Sequence, residues 1–359
     1  MTSQRPSRGW WMAGVGSVGA VALIVPVAIA WTADASKTGT LVESISGPGP
    51  APASCSQAEE LTEATDDGVI PGGISADGRV IAGGGNKLGI WTDGDYSAID
   101  IPNEEEIVVE DVNDAGVVVG TSFGEDDTRW RYEDGELEEL KGFHDDDSVS
   151  VEAISSDGTA VGSIYREDGS LPVKWEPGKE SPTRLELEPG YSGDAVDISA
   201  DNTILGGLRK GDASEAWVWH ADGSAERLPD VPEEDSEYAG TSPAAIAGDW
   251  VLVSSSGGET YLLDISQDGA KYTPVEGVSS DSPYYVDEKG RVYGTTIQGN
   301  AVVVGAGNDQ TELPGLTNNQ PDEDSPGHAA TAVSADGSTV VGYSLDREYT
   351  KDVTWSCRQ

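Results

Sequence analysis

From about residue 70 onward, short β-branched runs alternate with small polar turns, and one cassette recurs. It is an apolar residue, a turn ending in Asp-Gly or a relative, a β-branched run, then Gly. Ile74-Ser-Ala-Asp-Gly78 leads into Arg79-Val-Ile-Ala-Gly83, Val112-Asn-Asp-Ala-Gly116 into Val117-Val-Val-Gly120, and Ile154-Ser-Ser-Asp-Gly158 into Thr159-Ala-Val-Gly162. Further copies begin at Ile198, Ile246 (degenerate), Val286 and Val333, so that seven copies lie 38, 42, 44, 48, 40 and 47 residues apart. Asp-Gly between two apolar runs is a strong hairpin signal, because the tight turn needs residues that tolerate positive φ. A hairpin recurring every ~40–50 residues has the period of a β-propeller blade. The pattern predicts an all-β, seven-bladed propeller of four-stranded antiparallel blades.

The third copy shows the expected blade. Ser148 to Ile154 is the inner strand A, Thr159 to Tyr165 strand B, Leu171 to Trp175 strand C, and Pro182 to Leu187 the outer strand D. Strand C tends to end in a large side chain before a turn: Trp91-Thr-Asp-Gly94, Tyr132-Glu-Asp-Gly135, Trp175-Glu-Pro-Gly178, Trp219-His-Ala-Asp-Gly223. The copies at Ile246 and Val286 have Leu263 and Val303-Val304 instead. An aromatic recurring once per unit is explained by packing between blades.

The last copy has candidates for strands A, B and C and none for D before Gln359, whereas Cys55 to Glu63 reads as a strand D with no blade of its own. Aligning Leu61 with Leu140 puts Cys55 at the position of Asp134, two residues after Tyr132; Cys357 lies two residues after Trp355. Both cysteines thus fall at the C–D turn of one blade. The expectation is a ring closed by the N-terminal strand, with a Cys55–Cys357 disulfide in place of the missing turn. On the chain-entropy model such a long loop is worth roughly 5 kcal/mol.

The turn, the Val-Val-Gly and the Trp-x-Asp-Gly together resemble the HAF-type extracellular repeats of bacterial exported proteins over residues 70–357. The Ala-Phe that precedes Trp in that family is absent, Ala216-Trp217 being the nearest match. The resemblance implies a propeller-like extracellular domain and no particular catalytic residues.

Ahead of the repeats the pattern changes. Arg5 and Arg8 lie in a basic segment, residues 1–9, and an uncharged, mostly apolar stretch runs over residues 10–31 with Trp10, Trp11 and Trp31 at its ends. Twenty-two residues at about 1.5 Å each can cross a hydrocarbon core of about 30 Å, and terminal tryptophans suit the two interfaces. A retained anchor with cytoplasmic residues 1–9 is the favoured reading. A cleaved signal peptide, with Ala28-Ile-Ala30 or Ala33-Asp-Ala35 as its site, is the alternative. Both export the bulk of the chain. Residues 32–54 turn to Gly, Pro, Ser, Thr and Ala, a linker composition, ahead of the propeller at 55–359.

Charge adds the next constraint. With 65 acidic against 21 basic side chains the net charge is −44, which repels nucleic acid and anionic lipid surfaces. Loops between blades collect much of this charge: Glu104, Glu105 and Glu106; Asp145, Asp146 and Asp147; Glu233, Glu234 and Asp235; Asp322, Glu323 and Asp324. In a propeller these D–A connections share one face, so they are the candidate site for a cation or basic ligand. Ca²⁺ is the cofactor candidate, because it takes hard carboxylate oxygens. A mixed site with His144 and His328 is conceivable. There is no EF-hand, Gly-x-Ser-x-Gly, His-Glu-x-x-His or phosphate loop. The expected function is a membrane-anchored extracytoplasmic binding module that meets a protein, glycan or basic ligand through its acidic loop face without catalysis. The alternative is an extracellular hydrolase or lyase using rim carboxylates and Ca²⁺.

Overall fold

The computed structural model describes residues 47–61, 68–101, 106–124, 127–167, 169–211, 213–232, 240–279, 285–316, 327–346 and 349–358. Ser46–Gln359 forms one compact unit; Met1–Ile45 is a separate one that lies outside the described residues, and with it the apolar stretch 10–31.

Each Asp-Gly cassette is the A–B hairpin of its own four-stranded antiparallel sheet, and there are seven such sheets, the last carrying an extra short strand. Their inner strands are Ile70–Ile74, Glu106–Val112, Ser148–Ile154, Ser192–Ile198, Thr241–Ala247, Tyr285–Val286 and His328–Val333, in blades 1 to 7. Each contacts the inner strands of both neighbours, and that of blade 7 meets that of blade 1, so the ring is closed. The degenerate copy at Ile246 forms blade 5 like the others. Blade 3 holds Ser148–Ile154, Ala160–Arg166, Gly169–Trp175 and Thr183–Arg184. Its outer strand is shorter than the pattern predicts, because Leu185 turns inward into the core between blades 3 and 4.

The cassette has a local reason for each part. Gly158 in the turn has φ 90°, a region that costs a side-chain-bearing residue steric energy. The glycine closing the β-branched run answers a different need. A Cβ on Gly162 would lie 2.1 Å from the carbonyl oxygen of Ser150, where strand A carries a bulge between Val151 and Ala153. The same register shift falls in strand A of blades 1, 2, 4, 5 and 7.

Hydrophobic clusters fill the gaps between adjacent blades. The strand C aromatics are among them: Trp91, Trp175, Trp219 and Trp355 are all buried. Trp175 donates its indole N–H to Lys141 O (3.0 Å), Trp219 to Glu186 O (2.9 Å) and Trp355 to Pro314 O (2.8 Å). Each acceptor lies just after the outer strand of the preceding blade, so these rings are inter-blade pins rather than ligand contacts. In blade 2 the fully buried aromatic is Trp130, with Tyr132 half-buried.

Blade 7 is the seam. Its strand C, Tyr349–Arg358, pairs with Ser54–Cys55 and Glu59–Glu60. Cys55 sits directly opposite Cys357 and the two form a disulfide. Leu61 donates its N–H to Asp352 O as Leu140 does to Arg129 O, the correspondence on which the sequence alignment of the two strands rests. Lys351 adds an ion pair with Glu60 at 2.7 Å. Upstream, Gly49 bonds through its backbone to Lys289 and Ala306 of blade 6, and Thr311 donates to Pro52 O. The last residues of the stretch read as a linker are therefore laid against the ring.

Candidate functional site

The inner strands enclose an axial cavity of about 320 Å³. Its lining comes from the C-terminal halves of all seven A strands and the A–B turns that follow, so it belongs to the Asp-Gly face of the ring. Small residues dominate, among them Gly72, Ala76, Ala200, Ala247 and Ala335. Into this wall the chain sets five carboxylates, Glu110, Asp111, Glu152, Asp197 and Glu288, with the phenol of Tyr285; none of the lining residues is basic.

The bulges explain how acids reach the axis. Glu110 and Glu152 are the extra residues at the bulges of blades 2 and 3, falling between Val109 and Asp111 and between Val151 and Ala153. A bulge re-aims a side chain that would otherwise alternate along the strand. Burial raises the Glu110 carboxyl to about 7, and the charge of Glu152 adds to the effect against a hydrogen bond from Thr121. Glu152 is raised as well, first by burial, against a hydrogen bond from Ser150 and with the charge of Asp194. These neighbouring carboxyls hold protons more readily than exposed ones.

Asp111 and Asp197 occupy the next position of the cassette and serve the frame. Asp111 accepts the N–H of Val112 (2.7 Å) and, across the blade boundary, that of Ile154 (2.9 Å). Asp197 accepts from Ile198 and, in blade 5, from Ile246, both at 2.7 Å. Burial outweighs these bonds and lifts Asp111 to about 7 and Asp197 to about 6. Tyr285 is pushed up to about 12 by burial and by the charges of Asp197 and Asp111.

Around the cavity mouth the turns form a hydrogen-bonded collar. In blades 1, 3, 4 and 7 the turn serine donates to the turn aspartate: Ser75 to Asp77, Ser155 to Asp157, Ser199 to Asp201 and Ser334 to Asp336. Further bonds link turn to turn. Asp77 N–H donates to Asp114 (2.8 Å), Asn113 to Ser155 O (3.1 Å), Asn202 to Asp157 (2.9 Å), Ala335 N–H to Ala76 O (2.9 Å) and Glu288 N–H to Ala335 O (2.9 Å). Burial alone would raise Asp157, but the Ser155 hydroxyl, the Thr159 N–H and the Asn202 amide hold it at about 2.

The loop acids fare differently. Glu106 begins the inner strand of blade 2 and is exposed, as are Asp145 and Asp146. Asp147 is not available to a ligand. It accepts the N–H groups of Phe143 (2.9 Å) and His144 (3.0 Å) and pairs with Arg166 at 3.0 Å, and the Arg166 hydrogen bond leads the causes that lower its pKa. Glu104, Glu105, Glu233, Glu234, Asp235, Asp322, Glu323 and Asp324 lie outside the described residues. Asp194 lies inside strand A of blade 4 rather than in a loop. The two histidines do not share an environment: His144 is exposed on a loop, while His328 is buried in the inner strand of blade 7 beside Trp355. Among the described residues no three His, Cys, Asp or Glu side chains are grouped to hold a metal ion, and no helix is long and apolar enough to cross a membrane.

No protein-family profile matches this chain and no curated protein resembles it in sequence. Among solved structures it is similar to a streptogramin B lyase, at 13% identity and a TM-score of 0.54, over 83% of this chain and 96% of that one. At that identity the likeness shows the fold alone, a seven-bladed β-propeller.

Proposed function

We propose that this chain is an exported, non-catalytic binding module that holds a cationic ligand or a basic partner on the acidic axis and rim of its propeller. The observation that carries this reading is the axial cavity, where Glu110, Glu152 and Glu288 join the frame-bound Asp111 and Asp197 in a lining with no basic residue. Such a cavity concentrates cations by its field, and its lining of small side chains leaves room for an organic cation. The disulfide suits an oxidising compartment, which agrees with the export signal read from residues 1–31. The membrane anchor, the HAF-type kinship and an extracytoplasmic protein or glycan as partner belong to the same proposal.

Calorimetric titration of the full chain with spermidine and, separately, with Ca²⁺ tests it. Spermidine is expected to bind at pH 8 and to weaken at least tenfold at pH 5, where Glu110 is protonated and the raised pKa of Glu152 works in the same direction. Glu110→Gln with Glu152→Gln should reduce the pH dependence to the part that Asp111 and Asp197 supply. Absence of heat with either cation sinks the reading.

A hydrolase or lyase is the second reading. One observation favours it: Glu110, held at about 7 beside Glu152, has the pKa of a general base near neutral pH. Turnover of a carbohydrate or phosphoester substrate that vanishes in Glu110→Gln would establish it in place of the first.

A further inference from the structure

On the loop face, opposite the axial cavity, large apolar side chains stand in solvent. Among the described residues, Ile70, Val108, Phe123, Phe143, Tyr165 and Ile297 are all at least about a third exposed, and Phe143 and Tyr165 reach 40% and 45%. Five of these six belong to blades 1 to 3, and all lie near the loop ends of their strands or in the connection before blade 3. Soluble surfaces normally scatter such residues singly.

The register shows how they are grouped. Ile107 and Val109 pack toward blade 1 against Val80, Ala82 and Leu88. Glu106 and Val108 alternate with them and so face blade 3. On the paired strand B, Val119 packs toward blade 3 with Val149 and Val151, and Thr121 and Phe123 continue that face outward. Phe123 stands opposite Glu106, and Thr121 opposite Val108. From the blade 3 side, Phe143 is held in place: Arg166 lies 5.6 Å over its ring, and Asp147 ties both Arg166 and the backbone of Phe143 and His144. The boundary between blades 2 and 3 therefore presents Val108, Phe123 and a fixed Phe143. Glu106, opposite Phe123 in register, and Asp127, Asp145 and Asp146, within four residues of Phe123 or Phe143 in sequence, bring exposed carboxylates to this boundary.

We propose that the loop end of this boundary is a docking surface for a partner protein segment that carries Lys or Arg beside a large apolar side chain. The apolar groups supply a desolvated centre and the carboxylates a complementary rim, the usual division of a protein interface. Fixing Phe143 before binding lowers the ordering cost. The excess of carboxylates selects a basic segment over an acidic one. This surface is separate from the axial cavity, so either can fail alone.

A random dodecapeptide phage library panned on the full chain tests the proposal. Enriched peptides are expected to carry net positive charge and at least one aromatic or large aliphatic residue. Their synthetic versions should bind at least tenfold more weakly to Phe123→Ser with Phe143→Ser, and about threefold more weakly to Asp145→Asn with Asp146→Asn. Unchanged thermal unfolding of both variants would show that folding is intact, and spermidine titration of the axial cavity should not change. No enrichment, enrichment of neutral or acidic peptides, or binding indifferent to the phenylalanine pair would overturn it. So would a glycan array bound through the same phenylalanines in the absence of peptide binding.

Discussion

The two faces of this ring use the same side chain in opposite ways. On the turn face, aspartates are consumed by the frame: Asp157 accepts from Ser155, Thr159 and Asn202, and Asp111 and Asp197 staple neighbouring blades through backbone N–H groups. In the connection before blade 3 on the loop face, Asp145 and Asp146 are exposed while their neighbour Asp147 is tied to the protein. An aspartate count therefore says nothing about function. What matters is how many donors of the chain itself each carboxylate already meets.

The contrast can be broken at several levels. The seam sets the largest effect and belongs to neither face. Cys55→Ser with Cys357→Ser is expected to cost about 2–5 kcal/mol in chemical denaturation without changing the ranking of substitutions on the two faces. Asp111→Ala, measured at pH 6, leaves the N–H groups of Val112 and Ile154 without their acceptor and is expected to cost about 2–4 kcal/mol, because each buried unsatisfied donor costs about 1–3. A loss below 0.5 kcal/mol on the same scale would mean that the blades are not stapled there.

pH separates the acids by sign. Glu110, Asp111 and Asp197 have folded pKa values raised to about 7, 7 and 6, so the native state binds more protons than the unfolded chain. Their stabilising contribution is complete below about pH 4 and is lost as pH rises through 6 to 7. Asp157, lowered to about 2, does the reverse: its contribution is present above about pH 4 and is lost toward pH 2. Thermal unfolding should show a midpoint that falls between pH 5 and pH 8, with a shallower slope in Asp111→Asn. A midpoint that rises over that interval would contradict the assignment. Smallest of all, Asp145→Ala with Asp146→Ala should move stability by less than about 0.5 kcal/mol while changing the salt dependence of binding.

Much of the architecture was legible because each blade carries its own turn chemistry. Ser-x-Asp-Gly in three copies, and the related turns in the other four, need no distant partner to form, so seven local signals add up to a ring. The seam was legible because Leu61, aligned with Leu140, fixes the register of Cys55, while Cys357 falls two residues after Trp355. The axial acids were missed. Acid clusters lie in loops, yet the informative signal is one or two acids within an inner strand, as in Val108-Val-Glu-Asp-Val112 or Val196-Asp-Ile198. A charge has no reason to sit in such a β-branched run unless the strand borders a cavity or meets a bonded partner. The bulge that re-aims Glu110 and Glu152 depends on inter-strand register, which no local pattern displays. The exposed phenylalanines were illegible for a related reason: nothing in composition separates a core Phe from a surface one.

The disulfide has a topological consequence. It makes the stretch from Cys55 to Cys357 a covalent macrocycle spanning a sequence separation of 302. One proteolytic cut in any inter-blade loop opens that circle into a line but releases no fragment, since both pieces remain joined through sulfur. The β-ladders of the cut protein stay in register, and every blade keeps both of its neighbours. A singly nicked chain should run as one species on a non-reducing gel and as two after reduction. Wherever the chain meets a protease, damage at one loop is then a change of connectivity rather than a loss of mass.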